Sequence, residues 1–267
     1  MAQSQSQKNE IPVLLNPPLV EAIYELRWEL QTDPQTGRVR DVAYPMMYGR
    51  LYEKFKEEFP LIEDLPSVQA HPEATPFIVR HRMRKDNSWP LMQIGPGIVT
   101  INEGTGYSWS QFRHLILRVM DAIVDLYPKK TFPLNFVKSE IRYINAISFD
   151  IQREDALAYL ADKLHLKIEV DQQLFETNRM LDKPNAVNLN LAYALKRPVG
   201  NLMLSANLGQ IDGVPAYILQ SAIQSIGETV AQNAGETDHW LQEAHEIAEH
   251  CFLSFYKGSL LQRFCGG

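Results

Sequence analysis

Apolar and polar positions alternate with period two over Glu21–Leu30. Ala22, Tyr24, Leu26, Trp28 and Leu30 fall on one face, and Glu21, Ile23, Glu25, Arg27 and Glu29 on the other. That is the pattern of a strand buried on one side. In Pro45–Phe59, Met47, Leu51, Phe55 and Phe59 recur at helical spacing, and Pro60 ends the helix. Phe77–Lys85 alternates Phe77, Val79, His81 and Met83 against Arg80, Arg82 and Arg84. Leu91–Ile94 and Ile98–Asn102 flank Gly95-Pro96-Gly97, a hairpin signal. Ser110–Tyr127 is the clearest helix, with an apolar stripe through Phe112, Ile116, Val119 and Ile123. Ser108 and Gln111 have capping-box spacing, and Pro128 stops that helix.

The same order then recurs. Val137–Phe149 reads as a strand, Arg153–Leu164 as a short helix, and Val187–Leu195, Leu202–Leu208 and Ala216–Ile223 as three strands. Thr237–Tyr256 closes as a long helix carrying Leu241, Ala244, Ala248, Cys251 and Phe252. Strand, helix, strands and long helix, written twice, predict an α+β fold with an antiparallel sheet and helices on one face. A saddle or helix-grip arrangement is the leading topology, and separate ferredoxin-like halves are the alternative. The expected divisions are a disordered or docking segment at 1–15, a first half at 16–134 and a second half at 135–267.

Composition fits this reading. The chain has 267 residues, 45% hydrophobic and 22% charged, enough apolar mass for a core and too much for a disordered chain. With only Cys251 and Cys265, a disulfide framework is not expected. The start carries no apolar signal-peptide core, and no uncharged run reads as a membrane helix. A soluble, cytoplasmic protein without membrane attachment is therefore expected. The net charge of -6 disfavours non-specific nucleic-acid binding, which needs basic surface.

Candidate chemistry is sparse. His245-Glu246-Ile247-Ala248-Glu249-His250 approaches a zinc-peptidase motif, but the second histidine comes one residue late, so His245 and Glu249 remain only a weak metal pair. No Gly-x-Ser-x-Gly elbow or P-loop occurs. Arg80, Arg82 and Arg84 form the main polar row. They are expected on one sheet face opposite Glu21, Glu25, Glu29 or Glu140. With Arg142 and Asn145 they make the expected binding set, suited to a small anionic ligand or an acidic protein partner. Between Pro184 and Gly227 the only charges are Lys196, Arg197 and Asp212. Asn188, Asn190, Ser205 and Asn207 share a face there, and Gln220 extends it. Such a surface is either covered within the chain or forms a homodimer interface through 184–227.

Several segments together resemble a known family. They are Asn16-Pro17-Pro18-Leu19-Val20-Glu21-Ala22, Gln93-Ile94-Gly95-Pro96-Gly97-Ile98-Val99-Thr100-Ile101-Asn102, Tyr107-Ser108-Trp109-Ser110-Gln111-Phe112, Arg142-Tyr143-Ile144-Asn145, Ala244-His245-Glu246 with Phe252, and Gly258-Ser259-Leu260-Leu261-Gln262-Arg263-Phe264. The resemblance is to a sporadically distributed family of uncharacterised bacterial proteins of about this length, and it spans nearly the whole chain. It implies no activity. Its patchy distribution implies a setting among horizontally moved genes, phage-defence loci among them.

The function expected is binding: a ligand-sensing or partner-binding component of a bacterial defence or stress locus, with no cofactor and no catalytic residue. The competing expectation is an enzyme acting on nucleotides or nucleic acid through the arginine face, with His81 or His114 as acid or base. A deep pocket holding a histidine or carboxylate of strongly shifted pKa would mark the enzyme. A shallow, ion-paired face would mark the binder.

Overall fold

The computed structural model describes residues 14–32, 37–71, 75–150, 153–176, 179–181 and 183–266. The expected disordered or docking segment at 1–15 lies outside the described residues except for Leu14 and Leu15.

The first half runs β1 (Leu19–Trp28), a small hairpin of β2 (Gln31–Thr32) and β3 (Val39–Arg40), α1 (Tyr44–Phe55), β4 (Leu61–Asp64), β5 (His81–Arg84), β6 (Leu91–Gly95), β7 (Ile98–Glu103) and α2 (Trp109–Leu126). The second runs β8 (Phe136–Ser148), α3 (Ala156–Leu164), β9 (Asn188–Lys196), β10 (Val199–Ile211), β11 (Val214–Ile226), α4 (Ala234–Phe255) and α5 (Ser259–Phe264). Nine strands form one sheet in the order β4-β5-β6-β7-β1-β8-β11-β10-β9. Every pairing in it is antiparallel.

The order shows how the two halves relate. The first strand of each half, β1 or β8, lies at the centre, and the last strand of that half lies beside it. Reading outward gives β1, β7, β6, β5 on one side and β8, β11, β10, β9 on the other. The repeat seen in the element pattern is thus a repeat of topology, and the hydrogen-bonded β1–β8 seam joins both halves in one saddle-like sheet. Separate ferredoxin-like halves are not observed.

The period-two pattern of β1 is realised directly. Ala22, Tyr24, Leu26 and Trp28 are at most 1% exposed and face the helices. Both long helices cover this one sheet face. Phe112, Val119, Leu241 and Ala248 are buried between helix and sheet, while Phe252 is only half-buried. Arg113 of α2 clamps Asp238 of α4 with two hydrogen bonds of 2.6 and 2.7 Å, a bidentate tie that sets their relative position. Two apolar clusters result. One lies under α1, α2 and most of α4, from Trp240 to Cys251, around Trp28, Leu51 and Ile116. The other joins α3, α5 and the end of α4 to β8 and β11, around Leu160, Tyr217 and Tyr256.

Three details differ from expectation. Ser108 makes no side-chain cap to α2; its hydroxyl meets that of Ser110 at 3.3 Å, so the predicted capping box does not form. β10 and β11 are longer than their apolar cores, because Asp212 and Gly213, at φ 51° and 79°, make the tight hairpin turn that needs two left-handed residues. Leu61–Asp64, outside the elements predicted from the sequence, forms the edge strand β4.

Candidate functional site

The two faces of the sheet carry different chemistry. On the open face, away from the helices, β1 and β8 form a half-buried ion lattice. Lys138 Nζ lies 2.9 Å from both Glu25 and Glu140, whose carboxylates sit directly opposite each other in the strand register. Arg27 adds a contact to Glu25 at 2.7 Å, and Arg142 pairs with Glu140. Burial pushes the Glu25 carboxyl pKa up, but the hydrogen bonds and charges of Lys138 and Arg27 outweigh it and hold the group below the usual carboxylate range.

The arginine row does not stay together. Arg82 and Arg84 share the open face, but their carboxylate partner is Glu63 of β4, not Glu21, Glu25, Glu29 or Glu140. Arg80 lies before β5 begins, and the alternation breaks there. Its side chain is buried, donating to the Val68 carbonyl at 2.7 Å and to Thr75 Oγ1 at 3.3 Å. Arg142 and Asn145 are three residues apart along β8 and therefore point to opposite faces. His81 stacks on Tyr48 with ring centroids 4.0 Å apart and contacts Asp64 through Nδ1 at 2.8 Å, and His114 is exposed on α2. The expected binding set is thus dispersed over three environments.

A cavity of about 270 Å³ lies on the other face, between the sheet of the second half and α4. Leu191, Leu204, Leu219, Ala248, Phe252 and Phe255 are among its apolar walls. Pro17 and Pro18 close one side. Asn16 N–H donates to the Phe264 carbonyl and Ala146 N–H to the Pro18 carbonyl, both at 2.9 Å, so the proline-stiffened entry segment is held against β8 and α5. Asn145, on the helix side of β8, opens into this cavity and not onto the arginine face.

One end of the cavity is polar. The Trp109 and His245 rings stack there at 3.8 Å with planes 15° apart. His245 Nδ1 is 2.9 Å from the Tyr143 hydroxyl, which is 3.2 Å from the Tyr107 hydroxyl. His245 Nε2 is 3.2 Å from Glu249 Oε1, one helical turn on. Burial lowers the imidazole pKa to about 4, so the ring is neutral near pH 7. Burial raises the phenol pKa of Tyr107 and Tyr143, and the nearby Glu249 charge adds to both shifts. Cys251 also lines the cavity, its thiol pKa pushed up by burial.

No family model matches the chain, and no curated protein is similar to it above the level of chance. The site is therefore read from its own geometry.

The weak metal pair His245 and Glu249 is brought together in this cluster, while His250 is exposed. Among the described residues no group of three or more His, Cys, Asp or Glu side chains is placed to hold a metal ion. Also among the described residues, no helix is long and apolar enough to cross a membrane. The sequence reading missed Tyr107, Tyr143 and Trp109 as site residues. The one local signal was the His245–Glu249 spacing, which puts two polar groups on the sheet-facing side of a helix that is otherwise apolar there.

Proposed function

We propose that this protein is a cytoplasmic binding protein for small, mostly apolar molecules, held between the second-half sheet and α4. The observation that carries the reading is the cavity: apolar walls, with hydrogen-bonding groups gathered at one end, are the usual make-up of a small-molecule site. A sensing role in a bacterial defence or stress locus is the setting that the family resemblance implies. Free Cys251 and Cys265 suit a reducing compartment.

His245 meets the criterion for an enzyme, a shifted histidine in a deep pocket. An activated nucleophile is what the cavity lacks among its described residues. The Cys251 thiol and the Tyr143 phenol both have raised pKa values, which keeps them protonated. Binding is accordingly preferred to catalysis. On the arginine face, Arg82, Arg84 and Arg142 already have carboxylate partners, which weakens the case for an anion site there.

Titration with N-phenyl-1-naphthylamine, an uncharged fluorescent probe, tests the reading. Saturable binding to the native protein, abolished by filling the cavity with Ala248→Trp, is expected. Equal binding by the filled variant, with its fold intact by circular dichroism, would place the probe elsewhere and defeat the proposal.

A further inference from the structure

Asn145 is a buried polar side chain that the fold leaves unpaired. It is 7% exposed and lines the cavity from the helix side of β8. The strand register places Leu19 of β1 on one side of it and Leu219 of β11 on the other. Neither side chain can hydrogen-bond, and among the described residues the Asn145 carboxamide has no hydrogen-bond partner in the protein. By contrast, the buried Gln93 carboxamide donates to that of Asn102 at 3.3 Å, and Asn102 donates in turn to Glu21 at 2.7 Å. Buried polar groups in native proteins are almost always paired. Asn145 departs from this where it faces the cavity, and there a ligand can supply what the protein does not.

A carboxamide carries a C=O that accepts and an N–H that donates, side by side on one edge. A primary carboxamide or a lactam has the same edge and satisfies both at once. An ester or a carboxylate only accepts and an ammonium only donates, so each leaves half of the Asn145 edge unpaired. A trans secondary amide holds its N–H and C=O on opposite edges and meets only one of them. Ser221, opposite Tyr143 on β11 and diagonal to Asn145, adds a hydroxyl to the same wall.

We propose that the cavity takes apolar molecules that carry a primary carboxamide or a lactam, paired edge to edge with Asn145. The inference rests on the cavity being a binding site, as argued above, and names the ligand class for it.

Isothermal titration at pH 7.5 with n-octanamide and methyl octanoate, each below its solubility limit, tests this. Octanamide should bind the wild-type protein at least about tenfold more tightly than the ester. Asn145→Leu and Asn145→Ala should still bind the ester, with the amide preference cut at least about fivefold. The urea midpoint of Asn145→Leu should match or exceed that of the wild type, because removing an unpaired group leaves no partner behind. Equal binding of the two compounds by the wild type, or an amide preference unchanged in both variants, overturns the head-group inference and leaves the cavity reading intact. A clear drop in midpoint in both variants does the same, since it would give Asn145 a structural partner. Failure of both compounds to bind overturns the cavity reading as well.

Discussion

Trp109, at the first turn of α2, and His245, in the middle of α4, stack face to face at 3.8 Å, so the two long helices meet through an aromatic pair over the cavity. The stack buries the imidazole and keeps it uncharged, and that has a consequence for stability. The His245 pKa falls from 6.5 in the unfolded chain to about 4 in the fold. Between those pH values the unfolded chain binds a proton that the native ring does not, so stability falls as pH drops through this window. At about 1.4 kcal/mol per pKa unit, the loss is about 3 kcal/mol. His245→Gln should remove that part of the pH dependence. Urea unfolding of both proteins at pH 7.5 and 4.5 measures it, and parallel losses would show that the imidazole does not titrate in this way.

Among the described residues, the Tyr143 hydroxyl links two hydrogen-bond partners and the Tyr107 hydroxyl one. Tyr143→Phe removes the hydrogen-bond partner of both His245 Nδ1 and the Tyr107 hydroxyl, at a cost of about 1–3 kcal/mol. Tyr107→Phe should cost less. Denaturation midpoints of the two variants in the reverse order would contradict the linking role of Tyr143.

Lys138 separates two carboxylates that face each other across the β1–β8 seam. Lys138→Met leaves Glu25 and Glu140 opposed at side-chain exposures of 13% and 6%, each with one arginine contact remaining, and should destabilise by about 1.5–3 kcal/mol at pH 7. Acidification should restore part of the loss as the carboxylates protonate. Arg84→Ala, at the sheet margin, should cost only about 0–1 kcal/mol. Thermal melts giving similar losses for the two variants would remove the special place of the seam.

Gly95 is required by space and not by its backbone angles. A Cβ there would sit 2.0 Å from the Ile78 carbonyl oxygen, and backbone cannot give way as a flexible side chain can. Gly95→Ala should destabilise by about 3 kcal/mol or more. Gly106, at φ 86° with open space around it, should lose only about 1–2 kcal/mol on the same change. Near-equal chemical denaturation midpoints would indicate that the segment at Ile78 shifts freely.

Among the described residues, no strand pairs with the outer edge of β9, which carries a charge only at Lys196. At the other margin β4 is short and bears Glu63 and Asp64, the usual protection of an edge. Self-association through β9 is expected, and Asn190→Asp with Ala194→Asp, both exposed, should return a folded monomer. Light scattering that shows the unaltered protein as a monomer at high concentration would end this expectation.

The fold was legible wherever one face is buried. Ala22, Tyr24, Leu26 and Trp28, and the stripes of α2 and α4, state their environment through spacing alone. Two things were not legible. Glu63 is the partner of Arg82 and Arg84, but Leu61-Ile62-Glu63-Asp64 has too short a pattern to read as a strand. The polar end of the cavity draws Tyr107 from a loop, Trp109 from α2, Tyr143 from β8 and His245 and Glu249 from α4. Only tertiary packing brings them together, and a tyrosine in a strand pattern reads as core until its hydroxyl is given a partner.

The position of β1 also bears on how the chain is made. Once the ribosome has released the first half, β1 can pair with β7, yet the side that will receive β8 remains open. Open strand edges recruit other chains, and charges along a strand discourage this. Glu21, Glu25 and Arg27 line the nascent β1 with such charges before Lys138, Glu140 and Arg142 have emerged. The residues of β1 that become part of the ion lattice of the finished seam are thus placed to discourage such pairing while that edge is open.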